Sequence, residues 1–439
     1  MTPEIKKRID QIRHGEVPEG YRKTLWGIVP TSWAKSSVGR ICSITSGNTP
    51  RRNNPDSFKG SILWVTSGEL KAKYLIDTFE KITEDAAKSS NLYMYEPGTV
   101  VIALYGLEAA GVRGTASIIG RKCTISQACM AFTRFSNVLN EYFYYWYVNN
   151  GQVIGLRYAQ GTKQQNLSTE IVKALPVDFP DIEEQEKIIE ILSLQDKIIE
   201  LKEKRLAEKQ QQKKYLMQQL LTGEKRISGF SNAWRQMMFS DAFTFMPTNT
   251  LSRENLCDDH GSALNIHYGD ILIKYSEVLR VDATHIPYIK KTVEIPVSAY
   301  VKDGDLIIAD TAEDYTVGKA VEIRNLGEMK VVSGLHTILC RPMKGIFAPG
   351  WLGYYINSPA YHNQLISLIC GVKVCSISKR EIKKTVLIVP EMKEQMAIVD
   401  IFAEIDRELN LLKQDIIQER QKKKALMQLL LTGIVRVNI

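Results

Sequence analysis

The stretch KKYLMQQLLTGEKRI, Lys213 to Ile227, decides how this chain is organised, because it occurs twice. Its second copy is KKALMQLLLTGIVRV, Lys423 to Val437, displaced by 210 residues and identical at ten of fifteen positions. The same offset continues upstream without a gap and relates Glu184-Gln185 to Glu394-Gln395. A long internal repeat sets the architecture before any other feature is considered. The chain is therefore predicted to consist of two half-molecules in tandem.

The chain of 439 residues is long enough for two large globular domains. Its hydrophobic and charged fractions, 44% and 24%, are those of a globular protein. No apolar run reaches the roughly 18 residues that span a bilayer, and the polar N-terminus is no secretory signal. The seven cysteines form no CxxC pair. We therefore expect reduced thiols in a cytoplasmic protein that has no membrane partner.

The sequence from Asp181 to Leu221 contains no Gly or Pro, which predicts one long helix. Asp181 suits its N-cap and Gly223 its C-terminal stop, and at ~1.5 Å per residue the helix would be roughly 60 Å long. Apolar residues of the second copy step by four and three, the a/d pattern of a coiled coil. The seam positions of both copies are Ile188, Leu192, Ile199, Leu206, Leu216, Leu220, Ile398, Phe402, Ile405, Leu409, Leu412, Ile416, Leu426 and Leu430.

Polar residues interrupt this seam in the first copy, at Gln195 and Lys202, and Lys209 and Lys213 follow. A helix so polar over its middle needs a partner, and the other copy is the obvious one. The two long helices are therefore predicted to pack antiparallel as a spacer between two globular domains.

The rest of the chain shows short β-branched runs bounded by Gly, Pro and Ser, mixed with helical segments. The predicted fold class is α+β, with two mixed α/β domains, two long helices in an antiparallel coiled coil and a pseudo-two-fold repeat. The predicted boundaries are 1–20 for an N-terminal helical segment, 21–180 for the first domain, 181–223 for the central helix, 224–389 for the second domain and 390–439 for the C-terminal helix.

The net charge of +8 is unevenly distributed, since residues 1–180 hold 22 Lys and Arg against 15 Asp and Glu. Such an excess fits a nucleic-acid partner, although an ordinary basic surface explains it as well. Arg and Asn side chains in turn-rich loops are the groups that read base edges. Taken singly, each is more simply a solvated loop residue. The candidate contact residues are Arg51, Arg52, Asn53, Asn54, Tyr105, Arg113, Lys163 and Gln164 in the first half, and Asn265, His267, Tyr268, Lys274, Tyr275, Tyr315, Lys319 and Lys373 in the second.

Two enzymatic or metal-binding alternatives rest on weaker patterns. Asp56, Glu69 and Lys71 satisfy the loose spacing of a magnesium-dependent nuclease, although a surface turn and an ordinary strand explain them more simply. Cys257, His260 and His267 match no common zinc spacing. The sequence has no GxxxxGK[ST] loop, so ATP hydrolysis by this chain is not expected.

Each copy of the opening stretch closes a long helix that begins with P-x-x-x-EQ, and this arrangement resembles the specificity subunit of type I restriction-modification systems. The resemblance covers almost the whole chain. It includes GYRKTLWGIVPTSW, SGNTP, PGTVVIA with DGDLIIA, the GTKQQNLS loop, and LPVDFPDIEEQ with VLIVPEMKEQ.

The resemblance implies a non-catalytic subunit with two target recognition domains, each reading half of a split sequence in double-stranded DNA. It implies that the coiled coil sets their spacing and docks two modification subunits, with restriction subunits completing the complex. S-adenosylmethionine, ATP and magnesium would belong to those partners. Because the two domains differ in sequence, an asymmetric bipartite target is expected. A purely structural coiled-coil adaptor without a DNA role is the remaining alternative.

Overall fold

The computed structural model describes residues 2–109, 111–161, 165–296, 299–371 and 373–437. The chain divides into two compact units. Unit 1 comprises residues 1–202 and 415–439, and unit 2 comprises residues 203–414. Each unit therefore combines one globular domain with part of each long helix.

Unit 1 begins with a short helix, as predicted, and continues into a β-rich domain. Thr2 caps the first helix, and His14 ends it. The elements in chain order are α1 (Pro3–Arg13), β1 (Tyr21–Thr24), β2 (Gly27–Pro30), β3 (Ala34–Ser37), α2 (Val38–Ile41), β4 (Ser43–Ser46), β5 (Ile62–Val65), β6 (Tyr74–Leu75), β7 (Lys81–Ile82), α3 (Glu84–Ser89), β8 (Val100–Ala103), β9 (Ala116–Ile119), β10 (Cys123–Ile125), β11 (Cys129–Thr133), α4 (Asn140–Tyr158), α5 (Thr169–Ala174), β12 (Pro176–Phe179) and α6 (Ile182–Leu221), which continues into unit 2.

A five-stranded sheet with the order β4-β11-β8-β9-β6 forms the centre of unit 1. Neighbouring strands are antiparallel except β6 and β9, which pair in parallel. Strands β8 and β9 are buried along their whole length, and β8 is apolar throughout while β9 carries one buried serine, Ser117. The aromatic helix α4 and a three-stranded sheet, β10-β5-β7, contribute to the same core.

Unit 2 holds the second domain and the start of the second long helix. Its elements are β13 (Arg235–Met238), α7 (Phe239–Ala242), β14 (Phe243–Met246), β15 (Leu256–Cys257), β16 (Leu264–Ile266), α8 (Tyr268–Ile273), β17 (Val278–Arg280), β18 (Tyr288–Ile289), β19 (Leu306–Ala309), β20 (Thr311–Ala312), β21 (Ala320–Arg324), β22 (Val331–Ser333), β23 (Thr337–Pro342), α9 (Trp351–Ile356), α10 (Pro359–Ile366), β24 (Cys375–Ser376), α11 (Lys379–Ile382), β25 (Val386–Val389) and α12 (Met392–Leu430), which ends in unit 1.

Three sheets of unit 2 repeat the strand order of sheets in unit 1. Its central sheet has the order β14-β23-β19-β21-β17, with β17 and β21 parallel. Its second sheet, β15-β18-β16-β22, matches β10-β5-β7 with one added edge strand and keeps the parallel pair, now β16 and β22. The β3–β12 pair likewise returns as β13–β25. The duplication therefore includes the domain interiors, where the two sequences do not match.

Helix α6 lies between Asp181 and Gly223, the residues that the sequence suggests as its N-cap and its C-terminal stop. Helix α6 has 40 residues and α12 has 39. The Asp181 carboxylate accepts a hydrogen bond from the N–H of Glu184 at 2.9 Å, which satisfies one of the free donors of the first turn. Gly223 has a φ of 78°, the left-handed conformation that terminates a helix. Among the described residues, no helix combines the length and apolar composition that a membrane crossing requires.

The two helices run antiparallel within each unit. In unit 1, Lys202 lies 2.8 Å from Asp415, and Lys423 lies 2.5 Å from Asp196, so residue numbers rise along one helix as they fall along the other. In unit 2 the corresponding ion pairs are Lys209–Glu408 at 2.6 Å and Lys213–Asp406 at 2.7 Å. The predicted antiparallel coiled coil is confirmed.

Polar residues of the seam find partners on the other helix of the same unit. Gln195 donates to the Glu419 carboxylate at 2.7 Å, and Lys202 reaches the same carboxylate at 2.9 Å. These hydrogen bonds lower the pKa of Glu419 to about 2. The apolar seam residues are buried or half-buried. The polar residues that interrupt the apolar seam of the first copy therefore form hydrogen bonds and ion pairs with the other helix.

Candidate nucleic-acid interface

An exposed turn after β4 carries four predicted contact residues of unit 1, Arg51, Arg52, Asn53 and Asn54. The Arg52 guanidinium binds both oxygens of Glu80, at 2.5 and 2.8 Å, and lies over the ring of Phe58 at 4.4 Å. The hydrogen bond from Arg52 lowers the pKa of Glu80, so both groups are charged at neutral pH. A bidentate fork of this kind fixes the orientation of the guanidinium.

Of the other three residues of the turn, one stabilises the local fold and two have exposed side chains without such a role. Asn54 accepts a hydrogen bond from the N–H of Asp56 at 3.2 Å and caps the 3-10 turn Pro55–Phe58. Arg51 and Asn53 extend into solvent. These two are the residues of the turn best placed to contact DNA directly.

A second predicted group in unit 1 surrounds Arg113. Its guanidinium donates to the side-chain oxygen of Gln165, and its aliphatic part lies close against Gly155. Arg113 and Tyr105 are both half-buried. Lys163 and Gln164 lie outside the described residues. The structure thus connects Arg113 to the GTKQQNLS loop through Gln165.

The predicted residues of unit 2 gather around helix α8. His267 is its N-cap and accepts from the N–H of Gly269 at 3.2 Å through Nδ1. The neighbouring ring of Tyr268 lies 4.6 Å from the His267 ring, centroid to centroid. Lys274, at the other end of the helix, is exposed and lies 3.0 Å from the buried carboxylate of Asp270. The structure therefore brings three candidates together.

Three unit 2 candidates lie beneath the outer side of α8, which carries Tyr268 and Lys274 and is called the α8 surface. Asn265 is fully buried and accepts from Asn249 at 2.8 Å, and His267 and Tyr275 are each 5% exposed. Burial lowers the pKa of His267 and raises that of Tyr275, so both are neutral near pH 7. A direct hydrogen bond to a base edge needs an exposed polar group. In this structure these side chains support the surface, and Tyr268 and Lys274 are the candidates that form it.

The remaining candidates of unit 2 differ in exposure. Tyr315 is 68% exposed, and Lys373 is also exposed. Lys319 is half-buried and donates to the backbone oxygen of Leu272 at 2.9 Å, and burial lowers its pKa. Lys319 therefore holds the end of α8 in place.

Two residues of the α8 surface are absent from the sequence candidates. Arg253 binds the Asp270 carboxylate at 3.1 Å with its side chain half-exposed. The ring of His336 meets Tyr268 edge-on at 5.3 Å. Arg253 lies in the turn-rich segment SREN, which offered a signal like that of Arg51. His336 lies more than 60 residues beyond α8, and no local pattern connects it to Tyr268.

The carboxylates of the nuclease alternative serve the local fold. Asp56 pairs with Lys59 at 2.8 Å on the surface. Glu69 accepts from the N–H groups of Thr66 and Phe79, both at 2.7 Å. Within the part of the chain that the structure describes, no three or more His, Cys, Asp and Glu side chains are arranged to hold a metal ion. This holds for the segments of Asp56, Glu69 and Lys71 and for Cys257, His260 and His267.

The repeated Glu-Gln pair joins each long helix to its domain through two kinds of contact. The buried Glu184 carboxylate binds Arg436, which follows the LTG turn of α12, at 2.6 and 2.7 Å and accepts from the indole of Trp33 at 3.3 Å. Its unit 2 counterparts are Glu394, Arg226 and Trp234, at 2.6, 2.7 and 3.0 Å. The LTG turn of one repeat thus closes on the helix start of the other.

The glutamine of the pair fixes the loop before the aromatic helix of each domain. Gln185 donates to the backbone oxygens of Pro180 at 2.9 Å and Asn137 at 3.0 Å. In unit 2 the same contacts join Gln395 to Pro390 and Ile346, at 2.9 and 3.0 Å. The motif therefore positions both domains on their helices in the same way.

A partly buried Tyr–Asp–Lys cluster adds a further shared contact. In unit 1 the Tyr145 hydroxyl donates to Asp196 at 2.6 Å, and Lys423 pairs with that carboxylate. In unit 2 the members are Tyr354, Asp406 and Lys213, with Tyr354 donating at 2.8 Å. One domain side chain and two helix side chains meet at each cluster.

The family model and the relatives that resemble this chain come from type I restriction-modification systems. The family model for the type I restriction modification DNA specificity domain matches residues 30–211. Over 426 residues the chain is 20% identical to the type I restriction enzyme MjaVIII specificity subunit of Methanocaldococcus jannaschii, covering 93% of this chain and 94% of that protein. Residues 30–211 thus match the specificity domain of type I restriction-modification systems, and nearly the whole chain is similar to one of their specificity subunits.

Further similarities support this assignment. The MjaIX specificity subunit of the same organism is 26% identical over 188 residues, and that match spans only 42% of either chain. Among solved structures, a chain of a type I R-M system studied for its complex assembly and conformational transition has a TM-score of 0.59 at 14% identity, covering 93% of this chain and 99% of that one. The S subunit from M. genitalium has a TM-score of 0.51 at 13% identity, covering 93% and 96%. The matched family model describes a DNA specificity domain, and both relatives are named as specificity subunits, a class of type I subunit that is non-catalytic.

Proposed function

We propose that this specificity subunit reads an asymmetric, bipartite target in double-stranded DNA, with one half-site read by each unit. The observation that carries the proposal is the duplicated domain fold, in which the same strand order recurs while the outward-facing side chains differ. Unit 1 presents the Arg51 turn, and unit 2 presents the α8 surface. One fold shown twice suits the two strands of a duplex, and different side chains suit different bases. The recognition domains are proposed to be residues 21–180 and 224–389.

We also propose that the long helices dock two modification subunits and, through the complex, restriction subunits in the cytoplasm. Apolar side chains outside the coiled-coil seam support a protein partner on these helices. Leu194 and Leu201 of α6 are 64% and 53% exposed, and Leu411 of α12 is 59% exposed. Exposed apolar residues at helical spacing favour contact with further helices.

Reconstitution with the modification subunit tests the proposal. The chain would be purified alone and in that complex, and transfer of labelled methyl groups from S-adenosylmethionine to a duplex library would be followed. The complex is expected to methylate adenines in one split sequence, and the chain alone none. Methylation scattered without a common sequence would contradict the proposal, as would cleavage or methylation by the isolated chain.

A further inference from the structure

Phe79 of unit 1 has the most exposed large apolar side chain of the described residues, with 91% of its surface in solvent. Single apolar residues on a surface are common. A phenyl ring with nearly its whole area in water nevertheless carries almost the full unfavourable hydration of that area. Its position is therefore suited to a contact that forms only in a complex.

The fold holds the backbone around Phe79 in place while it leaves the ring outside. The N–H of Phe79 donates to Glu69 at 2.7 Å. The hydroxyl of Thr78, a buried residue, donates to the backbone oxygen of Glu80 at 2.7 Å and accepts from the N–H of Trp64 at 3.3 Å. Glu80 is in turn clamped by Arg52. The exposure of the ring thus belongs to an ordered segment, which reduces the entropy lost on binding.

Cationic side chains lie on the segments next to Phe79, where Arg52 and Lys81 are paired with Glu80 and Asp77. Arg51 and Arg52 lie on the neighbouring turn, and Lys81 pairs with Asp77 at 2.9 Å. The pKa of Asp77 is lowered first by the hydrogen bond from Lys81 and further by Arg121, which places a fourth cation nearby. An exposed apolar ring on a surface that also carries cations fits DNA, which has a charged backbone and apolar stacked bases, better than it fits the interior of a protein interface.

Unit 2 offers a counterpart at a different point of its domain. Ile273, at the end of α8, is 84% exposed, the highest value among the large apolar side chains of that unit. Its neighbour Ile271 is fully buried, and Lys274 beside it is exposed. Phe79 lies between β6 and β7, whereas Ile273 lies between β16 and β17. The two residues thus differ in type and location within equivalent folds.

We infer that Phe79 is a wedge that inserts between neighbouring base pairs of the half-site read by unit 1, and that Ile273 does so in the half-site read by unit 2. This inference rests on the proposed reading of DNA. Phe and Ile are among the side chains that enter base steps and unstack them. Insertion is least costly at flexible pyrimidine–purine steps, so each wedge would select sequence without hydrogen-bonding a base edge.

The experiment uses the complex with the modification subunit and a duplex carrying the methylated sequence. 2-Aminopurine would replace one base at a time, outside the adenines that become methylated. Wild-type complex is expected to raise its fluorescence at one step in each half-site. Phe79→Ala should remove the signal in one half-site and weaken binding roughly tenfold, the effect of losing one base–aromatic contact. Ile273→Ala should remove the signal in the other half-site. Neither variant should change the salt dependence of binding, because neither residue contacts phosphate.

Matched variants separate the wedge from unfolding and from protein contact. Phe79→Trp should restore the signal, and Tyr93→Ala, which removes another exposed ring of unit 1, should leave it unchanged. If the fluorescence signals persist in Phe79→Ala and Ile273→Ala, the wedge inference is wrong, but the proposed reading of a specific DNA sequence is unaffected. Weakened assembly with the modification subunit in the absence of DNA would overturn it in favour of a protein contact. Wild-type complex that binds no specific sequence would overturn the proposed function as well.

Discussion

Each unit has a Tyr–Asp–Lys cluster where its domain meets its part of the helix pair, but the further domain residue in direct contact with the cluster has the opposite charge in the two units. In unit 1 the added residue is Lys73, which donates to Tyr145 at 3.0 Å. In unit 2 it is Glu277, which binds Lys213 at 2.8 Å. The residues contributed by the repeated helices are kept, and the residue contributed by the domain differs. The helix contacts are therefore a common frame to which different domains are attached.

A second difference lies in the central sheets. Glu322 on β21 is buried, and its carboxylate accepts from the N–H groups of Gly350 at 2.6 Å and Gly353 at 3.1 Å, at the start of α9. Strand register places Ile118 of β9 at the equivalent position in unit 1. Each domain thus attaches its aromatic helix by different chemistry within the same strand order.

The largest expected effect follows from the opposite charges at the clusters. Lys213→Met removes the cation that binds both the Asp406 and the Glu277 carboxylates, and we expect unit 2 to lose about 3–4 kcal/mol of stability. Lys423→Met leaves Asp196 with its Tyr145 hydrogen bond and with Lys73 nearby, so unit 1 should lose only about 1–2 kcal/mol. Amide hydrogen exchange of each unit at pH 7 measures both values. Equal losses in the two units would show that the added charges do not matter.

The next effect is a pH dependence confined to unit 2. Burial raises the pKa of Glu322 to about 7, opposed by the N–H groups of Gly350 and Gly353. The unfolded carboxyl titrates near ~4.3, so the folded unit binds the proton more tightly and loses stability as pH rises from about 4.5 to 7. Glu322→Gln should flatten this slope. Hydrogen exchange in α9 across that range checks it, with α4 as the internal reference, and an unchanged slope in the variant would refute the assignment.

The smallest expected effect concerns the recognition surface and leaves stability unaltered. Arg51→Ala removes one exposed cation from unit 1, and the slope of log affinity against log salt should fall by about 0.9. Fluorescence anisotropy of the assembled complex on its target duplex gives that slope. Lys187→Ala, on the exposed face of α6, serves as the matched loss of charge. A salt slope that changes equally in both variants would remove Arg51 from the DNA contacts.

The helices and their pairing could be predicted because their signals are local and repeated. The helix cap at Asp181, the stop at Gly223 and the a/d spacing of the seam are all readable from the sequence. The polar seam residues Gln195 and Lys202 also indicated that the helix needs a partner. The role of the Glu-Gln pair was not predictable in the same way. Repetition marks Glu184 as important, but its partner Arg436 lies 252 residues away.

The recognition surface could be predicted only in part, because burial depends on contacts between distant strands. Asn265 lies on β16, which pairs with β22 more than 60 residues later, and this pairing places its side chain in the interior. Tyr268 and Lys274 lie nearby on α8 and stay at the surface. The sequence of so short a segment does not show which side chains are buried and which are exposed. The exposure of Phe79 could not be predicted for the same reason.

Sequencing the methylated DNA of cells that carry a domain exchange tests the central claim most directly. Residues 224–389 would be replaced by the corresponding domain of another specificity subunit that carries equivalents of Arg226, Trp234 and Tyr354, so that the domain still contacts Glu394 and Asp406. The exchanged chain would be expressed with the modification subunit. If each unit reads one half-site, one block of the split methylated sequence changes and the other stays as in the wild type. A change of both blocks, or of neither, in an assembled complex would contradict the account.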